Sequence, residues 1–213
     1  MTKSVNLLED DSDPINAARP SVLLFDLGGV LIANPGFAKF NRLLLRQLEL
    51  QELKSGWLMS PAVRRFESGQ SDAIEFALGV LAEWQIEMDP AAFVEEFRGW
   101  PSDATVEAIE LVRELKEEYT VACLSNSNAI HWERFTSLLG EFDIAISSHL
   151  TGRLKPDQDA FLEAARLCSA APREICFFDD SILNVEAAAS VGFHAFLVDG
   201  FSEIKDLLSS RGW

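Results

Sequence analysis

Apolar and polar positions divide the chain into three stretches of different rhythm. Residues 1–19 show no apolar period. Their Glu9-Asp10-Asp11-Ser12-Asp13-Pro14 run is too charged to bury a core, which predicts an acidic flexible tail over 1–19. At Ser21 the pattern becomes a short unbroken apolar run, Val22-Leu23-Leu24-Phe25, ending at Asp26 and punctuated by Gly28-Gly29. An apolar run without alternation fits a strand covered on both faces, as in parallel sheets.

The second stretch, 36–100, has helical spacing throughout. Phe37, Phe40, Leu44 and Leu48 form one stripe, Ile74, Leu78, Leu81 and Trp84 a second, and Phe93, Phe97 and Trp100 a third. Pro61 and Pro90 mark breaks between helices, and no strand signal interrupts.

After Pro101 the two rhythms alternate. A helix carrying Ala108, Leu111, Val112 and Leu115 leads to a strand, Thr120 to Leu124. Then come a helix over 128–139, a short strand from Asp143 to Ser147, and a helix starting at Pro156. The strand Ile175 to Phe178, a helix over 182–191 ending at Gly192, the strand His194 to Val198 and a helix over 202–209 close the chain. This alternation predicts an α/β fold, a Rossmann-like three-layer parallel sheet with helices on both faces. The core domain is 20–35 together with 101–213, and the helical stretch 36–100 is an insertion that serves as a cap.

The bulk composition narrows the function classes. With 213 residues there is room for one core domain and a modest insertion. The count of 18 basic against 34 acidic residues, net −16, argues against nucleic-acid and anionic-membrane partners. No apolar run reaches the roughly 18 residues of a membrane span, and Met1 to Asp11 lacks a signal-peptide apolar stretch. The three cysteines, 123, 168 and 176, have no metal-type spacing and fall within apolar patterns, so they read as packed thiols of a cytoplasmic protein.

In open α/β sheets, ligands bind beyond the carboxyl ends of the strands. The polar residues expected there are Asp26, then Ser125 and Asn126, then Ser147, Ser148 and Lys155, then Asp179 and Asp180. Such a set suits phosphoryl transfer. A carboxylate that attacks phosphorus is repelled by the phosphate dianion, and Mg²⁺ held by oxygen ligands removes that repulsion. Asp26 and Asp180 offer two such oxygens, Lys155 neutralises a phosphate oxygen, and the Ser125 hydroxyl donates to one. Backbone N–H groups at the start of the 128–139 helix add an anion-favouring field.

These residues match a family. Phe25-Asp26-Leu27-Gly28-Gly29-Val30-Leu31 resembles the first motif of the haloacid dehalogenase superfamily. Leu124-Ser125-Asn126 resembles the second, Lys155-Pro156 the third, and Phe177-Phe178-Asp179-Asp180 with Asn184 the fourth, in the family's order over 21–198. The branch most similar holds the phosphatase domain of soluble epoxide hydrolase and bacterial sugar-phosphate phosphatases, and 36–100 lies where that branch carries its helical cap. The resemblance implies a Mg²⁺-dependent phosphatase acting on a small phosphorylated metabolite, with Asp26 as nucleophile. It implies Asp26, the Gly28 carbonyl and Asp180 as metal ligands, supported by Asp179 and Asn184. It implies Ser125, Asn126 and Lys155 as the residues that hold the phosphoryl group.

One position departs from the pattern. The family's phosphatases carry a second aspartate two residues after the nucleophile, as general acid/base, and here that residue is Gly28. Such a group is worth about 10²–10⁴ in rate, or roughly 3–5 kcal/mol. The leading reading is a phosphatase that is slower or tuned to a good leaving group such as an anomeric phosphate, with a cap group or water taking the proton. The alternatives are a weakened phosphate-binding or regulatory protein, and a dehalogenase- or phosphonatase-type hydrolase. Phosphonate cleavage in this family requires a cap lysine. Lys39 and Lys54 are the candidates, and both read as solvated helix residues. His131, His149 and Arg153 read as packing or surface residues near the site, Asn34 as a residue at the cap interface, and Trp57, Arg64, Arg65 and Phe66 as cap residues with the aromatic pair in its core.

Overall fold

The computed structural model describes residues 19–213. The acidic tail expected over 1–19 lies outside the described residues except for Arg19, which pairs with Glu118 and Tyr119.

Five strands form one parallel sheet: β1 (Val22–Phe25), β2 (Thr120–Ser125), β3 (Ile144–Ser147), β4 (Ile175–Asp179) and β5 (His194–Leu197), in the order β3-β2-β1-β4-β5. β1 is central, with Phe25 opposite Cys123 on one side and Phe178 on the other. Alternate β1 side chains enter opposite cores, as the two-residue period of a strand requires. Leu23 and Phe25 pack with Val112, Leu138, Ile204 and Leu208, while Val22 and Leu24 pack with Phe161, Ala164, Phe177 and Ala188. Helices therefore cover both faces, as the unbroken apolar strands predict. Among the described residues no helix is long and apolar enough to cross a membrane.

Five helices stand between β1 and the next core helix: α1 (Gly36–Leu43), α2 (Leu50–Met59), α3 (Pro61–Glu67), α4 (Ala73–Glu83) and α5 (Pro90–Arg98). Pro61 and Pro90 open α3 and α5, after N-caps Ser60 and Asp89 whose side chains accept from Val63 and Ala92 amides. Asp72 and Glu75 form a capping box at α4. The block has its own aromatic core around Phe40, Trp57, Phe76, Phe93, Phe97 and Trp100.

Two expected patterns are corrected here. In α4 the buried residues are Phe76, Ala77, Val80 and Leu81, while Ile74 and Leu78 are 46% and 54% exposed. This helix is apolar on nearly every side, so spacing alone did not identify its inner face. In α1 the helix stops at Leu43, and the Asn41 side chain bonds both ways with the Leu48 backbone, so Leu48 packs from a loop.

The remaining helices are α6 (Val106–Leu115), α7 (Ala129–Trp132), α8 (Thr136–Leu139), α9 (Ser148–Thr151), α10 (Gln158–Leu167), α11 (Ile182–Ser190) and α12 (Phe201–Arg211). The continuous helix expected over 128–139 is broken by a 3₁₀ turn at Glu133–Phe135. There the Thr136 hydroxyl donates to the Glu133 carbonyl at 2.6 Å, a local bond that competes with the helical ladder. α10 begins two residues beyond Pro156, because Asp157 remains extended.

Candidate active site

The sheet order reverses between β1 and β4, and the polar residues gather at the carboxyl ends of these strands and of β2. Asp26 follows β1, with its backbone N–H donating to the Phe178 carbonyl at 2.8 Å. Asp179 ends β4, and Asp180 follows it. Oxygens of Asp26, Asp179 and Asp180 all lie within 4.8 Å of one another.

Lys155 sits between two of these carboxylates. Its Nζ donates to Asp26 Oδ1 at 2.7 Å and to Asp179 Oδ2 at 2.6 Å, and it is only 1% exposed. Burial alone would lower the lysine's pKa, but the Asp179 and Asp26 carboxylates outweigh it and hold the ammonium charged. Burial pushes the Asp26 carboxyl upward, with Lys155 pulling against it and Asp179 and Asp180 adding to the rise. Asp180 is raised too, by burial and then by Asp179.

Asn126 and Asn184 each serve a neighbour. Both ends of the Asn126 amide bond the Lys155 backbone, Nδ2 to the carbonyl and Oδ1 from the N–H, each at 2.9 Å. Asn126 therefore fixes the segment that carries the lysine. Asn184 Nδ2 donates to Asp179 Oδ1 at 2.9 Å, while its own buried Oδ1 has no partner. The other Asp179 oxygen is thereby engaged by Lys155 and the first by Asn184 and the Ser181 N–H. Ser125 is buried at the end of β2. Three clustered carboxylates plus a buried orphan amide oxygen make an all-oxygen donor set that fits Mg²⁺.

The expected anion field at the start of a 128–139 helix is not built. α7 has four residues, and its first turn is capped by the Asn128 side chain, which accepts from His131 N–H at 3.1 Å. The two glycines after Asp26 have different surroundings. A Cβ on Gly29, whose φ is +83°, would fall 2.1 Å from Asp180 Oδ2, whereas one on Gly28 would meet only Asn34 Nδ2 at 3.9 Å.

These groups line a cavity of about 360 Å³ between the sheet edge and the helical insertion. Asp26, Gly28, Ser125, Asn126, Lys155, Asp180 and Asn184 all face it; Asp179 lies beneath, fully buried. α1 and α2 contribute Phe37, Leu50, Trp57 and Leu58 as an apolar wall. Lys54 is a correction to the sequence reading. It is no solvated lysine: from α2 it forms an ion pair with Asp180, and its side chain is 18% exposed. Lys39 is a surface residue paired with Glu96 at 3.7 Å.

Of the other residues singled out, Asn34 and His131 line the cavity and Trp57 forms part of its wall. His149 bonds the Ser147 hydroxyl, and Arg153 pairs with Glu163 at the surface. Arg64 of α3 pairs with Asp157, joining the insertion to the core, while Arg65 is exposed and Phe66 is core. Sequence reasoning missed Glu67, the last residue of α3, which is buried and lines the cavity. The available signal was a lone charge in an apolar helical face: Lys54 among Leu50, Trp57 and Leu58, and Glu67 beside Val63 and Phe66.

A protein-family model described as haloacid dehalogenase-like hydrolase matches residues 20–192. Over 204 residues, 83% of this chain, the sequence is 28% identical to acyl-CoA dehydrogenase family member 10 of Mus musculus, a match spanning 18% of that protein. Over 93 residues, 42% of this chain, it is 29% identical to phosphoglycolate phosphatase of Nitrosospira multiformis, spanning 41% of that enzyme. Both curated relatives are thus matched over less than half their length. A HAD family enzyme of Bacteroides thetaiotaomicron in a magnesium complex shares the fold, with a TM-score of 0.66 at 23% identity over 85% of this chain and 94% of that one.

Proposed function

The chain belongs to the haloacid dehalogenase-like hydrolase family, and we propose that it is a Mg²⁺-dependent phosphatase that cleaves a small phosphorylated metabolite through an aspartyl-phosphate on Asp26. The observation that carries this reading is the buried contact of Lys155 with Asp26, 2.7 Å, inside a three-carboxylate cluster that opens on a cavity. A carboxylate so placed is held in one orientation, and its lysine lies where a transferring phosphoryl oxygen needs positive charge.

In this reading Asp26, the Gly28 carbonyl and Asp180 hold the metal, with Asp179 and Asn184 orienting the set. When bound, Mg²⁺ screens the repulsion between the Asp26 carboxylate and the phosphoryl dianion. The Asp26 oxygen attacks phosphorus as the ester bond breaks, and water then releases phosphate from the aspartyl ester. Ser125 donates to a phosphoryl oxygen, and Asn126 acts through the Lys155 backbone it grips. The helices over 36–100 act as a cap, whose apolar wall and cavity volume suit a substrate of sugar-phosphate size. The clustered carboxylates favour metal-dependent chemistry over metal-free dehalogenation.

The test is a panel of phosphate esters with and without Mg²⁺, on the wild-type protein and on Asp26→Asn. Turnover of at least one ester is expected, lost without metal and in the variant. Wild-type turnover no higher than that of Asp26→Asn would sink the reading. Tight binding of a phosphate analogue without turnover would favour the phosphate-binding alternative.

A further inference from the structure

Within the phosphatase reading, we propose that Glu67 is the general acid/base: it protonates the departing oxygen and then accepts a proton from the attacking water. This is the task that Gly28 has no side chain to perform.

Glu67 is 8% exposed and lines the same cavity as Asp26 and Gly28. It ends α3, where the helix dipole disfavours a carboxylate. It appears in no ion pair among the described residues. A buried acid placed against the dipole without a salt bridge is costly to keep charged, and its neighbourhood is the nucleophile's cavity.

The other buried titratable groups of the cavity are committed, and one further carboxylate, Asp199, is exposed. Lys155 is locked between Asp26 and Asp179, and Lys54 and Asp180 are paired with each other. His131 has both ring nitrogens engaged, Nε2 with the Phe97 carbonyl at 2.8 Å and Nδ1 with Asn128 Nδ2 at 3.3 Å. Glu67 is the buried carboxyl that remains. Burial pushes its pKa up to about 7, against Trp57 hydrogen bonding and the positive charge of Lys155 and Arg64, with Asp26 adding to the rise. A carboxyl that titrates near neutrality serves as acid in one step and base in the next.

The proton balance closes. As an Asp26 oxygen bonds to phosphorus and the ester P–O bond breaks, the protonated Glu67 gives its proton to the departing oxygen, which leaves as an alcohol. In the second step a water oxygen bonds to phosphorus and the bond to Asp26 breaks. The Glu67 carboxylate takes the water's proton, and inorganic phosphate leaves with both side chains restored.

The experiment compares kcat/KM for p-nitrophenyl phosphate, whose leaving group needs no proton, with that for the best alkyl phosphate from the ester panel. Glu67→Gln is expected to lose about 10²–10³-fold on the alkyl ester and less than about threefold on the aryl ester. The wild-type alkyl rate falls as pH rises above about 7, and the variant loses that limb. In a Gly28→Asp background the alkyl rate becomes insensitive to Glu67→Gln, which a purely structural role for Glu67 would not produce. Equal losses on both esters, or none, overturn the assignment while leaving the phosphatase reading intact. Wild-type turnover no higher than that of Asp26→Asn on either ester overturns both. Glu67→Asp, which keeps the acid on a shorter stem, retains the pH limb and serves if the glutamine variant folds poorly.

Discussion

Lys54, on the second helix of the insertion, is ion-paired with Asp180, which follows the fourth strand of the sheet 126 residues later in the chain. A cation from the helical insertion thus occupies one oxygen of a carboxylate that also belongs to the three-acid cluster. The pair joins the position of the insertion to the charge state of the cluster. In the proposed metal-dependent reading, a divalent cation at the cluster would compete with Lys54 for Asp180. Lys54→Met is therefore expected to bind Mg²⁺ or Mn²⁺ about tenfold tighter, roughly 1.4 kcal/mol, by titration calorimetry. Unchanged or weaker affinity would show that the ammonium and the metal do not share this residue.

Besides the chemical role proposed for it, Lys155 holds the buried cluster together. Its side chain is 1% exposed and Asp179's is 0%, so removing the ammonium leaves the Asp26 and Asp179 carboxylates without their shared counter-ion. Lys155→Met is expected to lose about 3–5 kcal/mol in urea unfolding without metal, besides losing activity. A loss below about 1 kcal/mol would mean that water already reaches the cluster.

The two glycines after Asp26 should respond in opposite ways. A Cβ at Gly28 has room, meeting only Asn34 Nδ2 at 3.9 Å. Gly28→Asp is expected to fold normally and to raise alkyl-ester turnover, by up to about 10²-fold if it can act as an acid. Gly29→Ala would put its Cβ 2.1 Å from Asp180 Oδ2 at a φ of +83°. It is expected to weaken metal binding and lower the melting temperature, and a neutral Gly29→Ala would contradict the close approach.

His131 makes the contact between the core and the helical insertion sensitive to acid. Burial lowers its pKa to about 4, the bond to the Phe97 carbonyl opposes this, and Arg134 and Arg98 deepen it. Between about pH 6.5 and 4 the unfolded chain binds this proton and the native state does not. The stabilisation is therefore complete above 6.5 and is lost as pH falls through that window. Denaturant unfolding should show wild-type stability falling from pH 6.5 to 4 more steeply than that of His131→Gln. Parallel curves would remove His131 as the source.

The sequence carried much of this arrangement because it is local. Unbroken apolar runs of three or four residues, each ended by a polar residue, read as buried parallel strands, and their ends put Asp26, Ser125, Asp179 and Asp180 along one edge. The breaks at Pro61 and Pro90 were legible for the same reason, and the structure shows that each proline opens a helix, where it needs no helical donor.

What was not legible depended on which side of a helix meets which neighbour. Periodicity marks an apolar face only when the other face is polar. α4 lacks that contrast, so Phe76 and Val80 rather than Ile74 and Leu78 turned inward. Local side-chain bonds also broke the 128–139 helix, and no apolar count registers a hydroxyl competing for a carbonyl.

By itself the sequence determined the order of strands and helices and the residue types at the strand ends, because both follow from short-range backbone preference and from which stretches must be covered. Only the tertiary structure decided that Lys54 and Glu67 face the same cavity as Asp26. Their placement depends on how a separately packed block of helices sits over the sheet edge, and that is set by contacts between residues far apart in the chain.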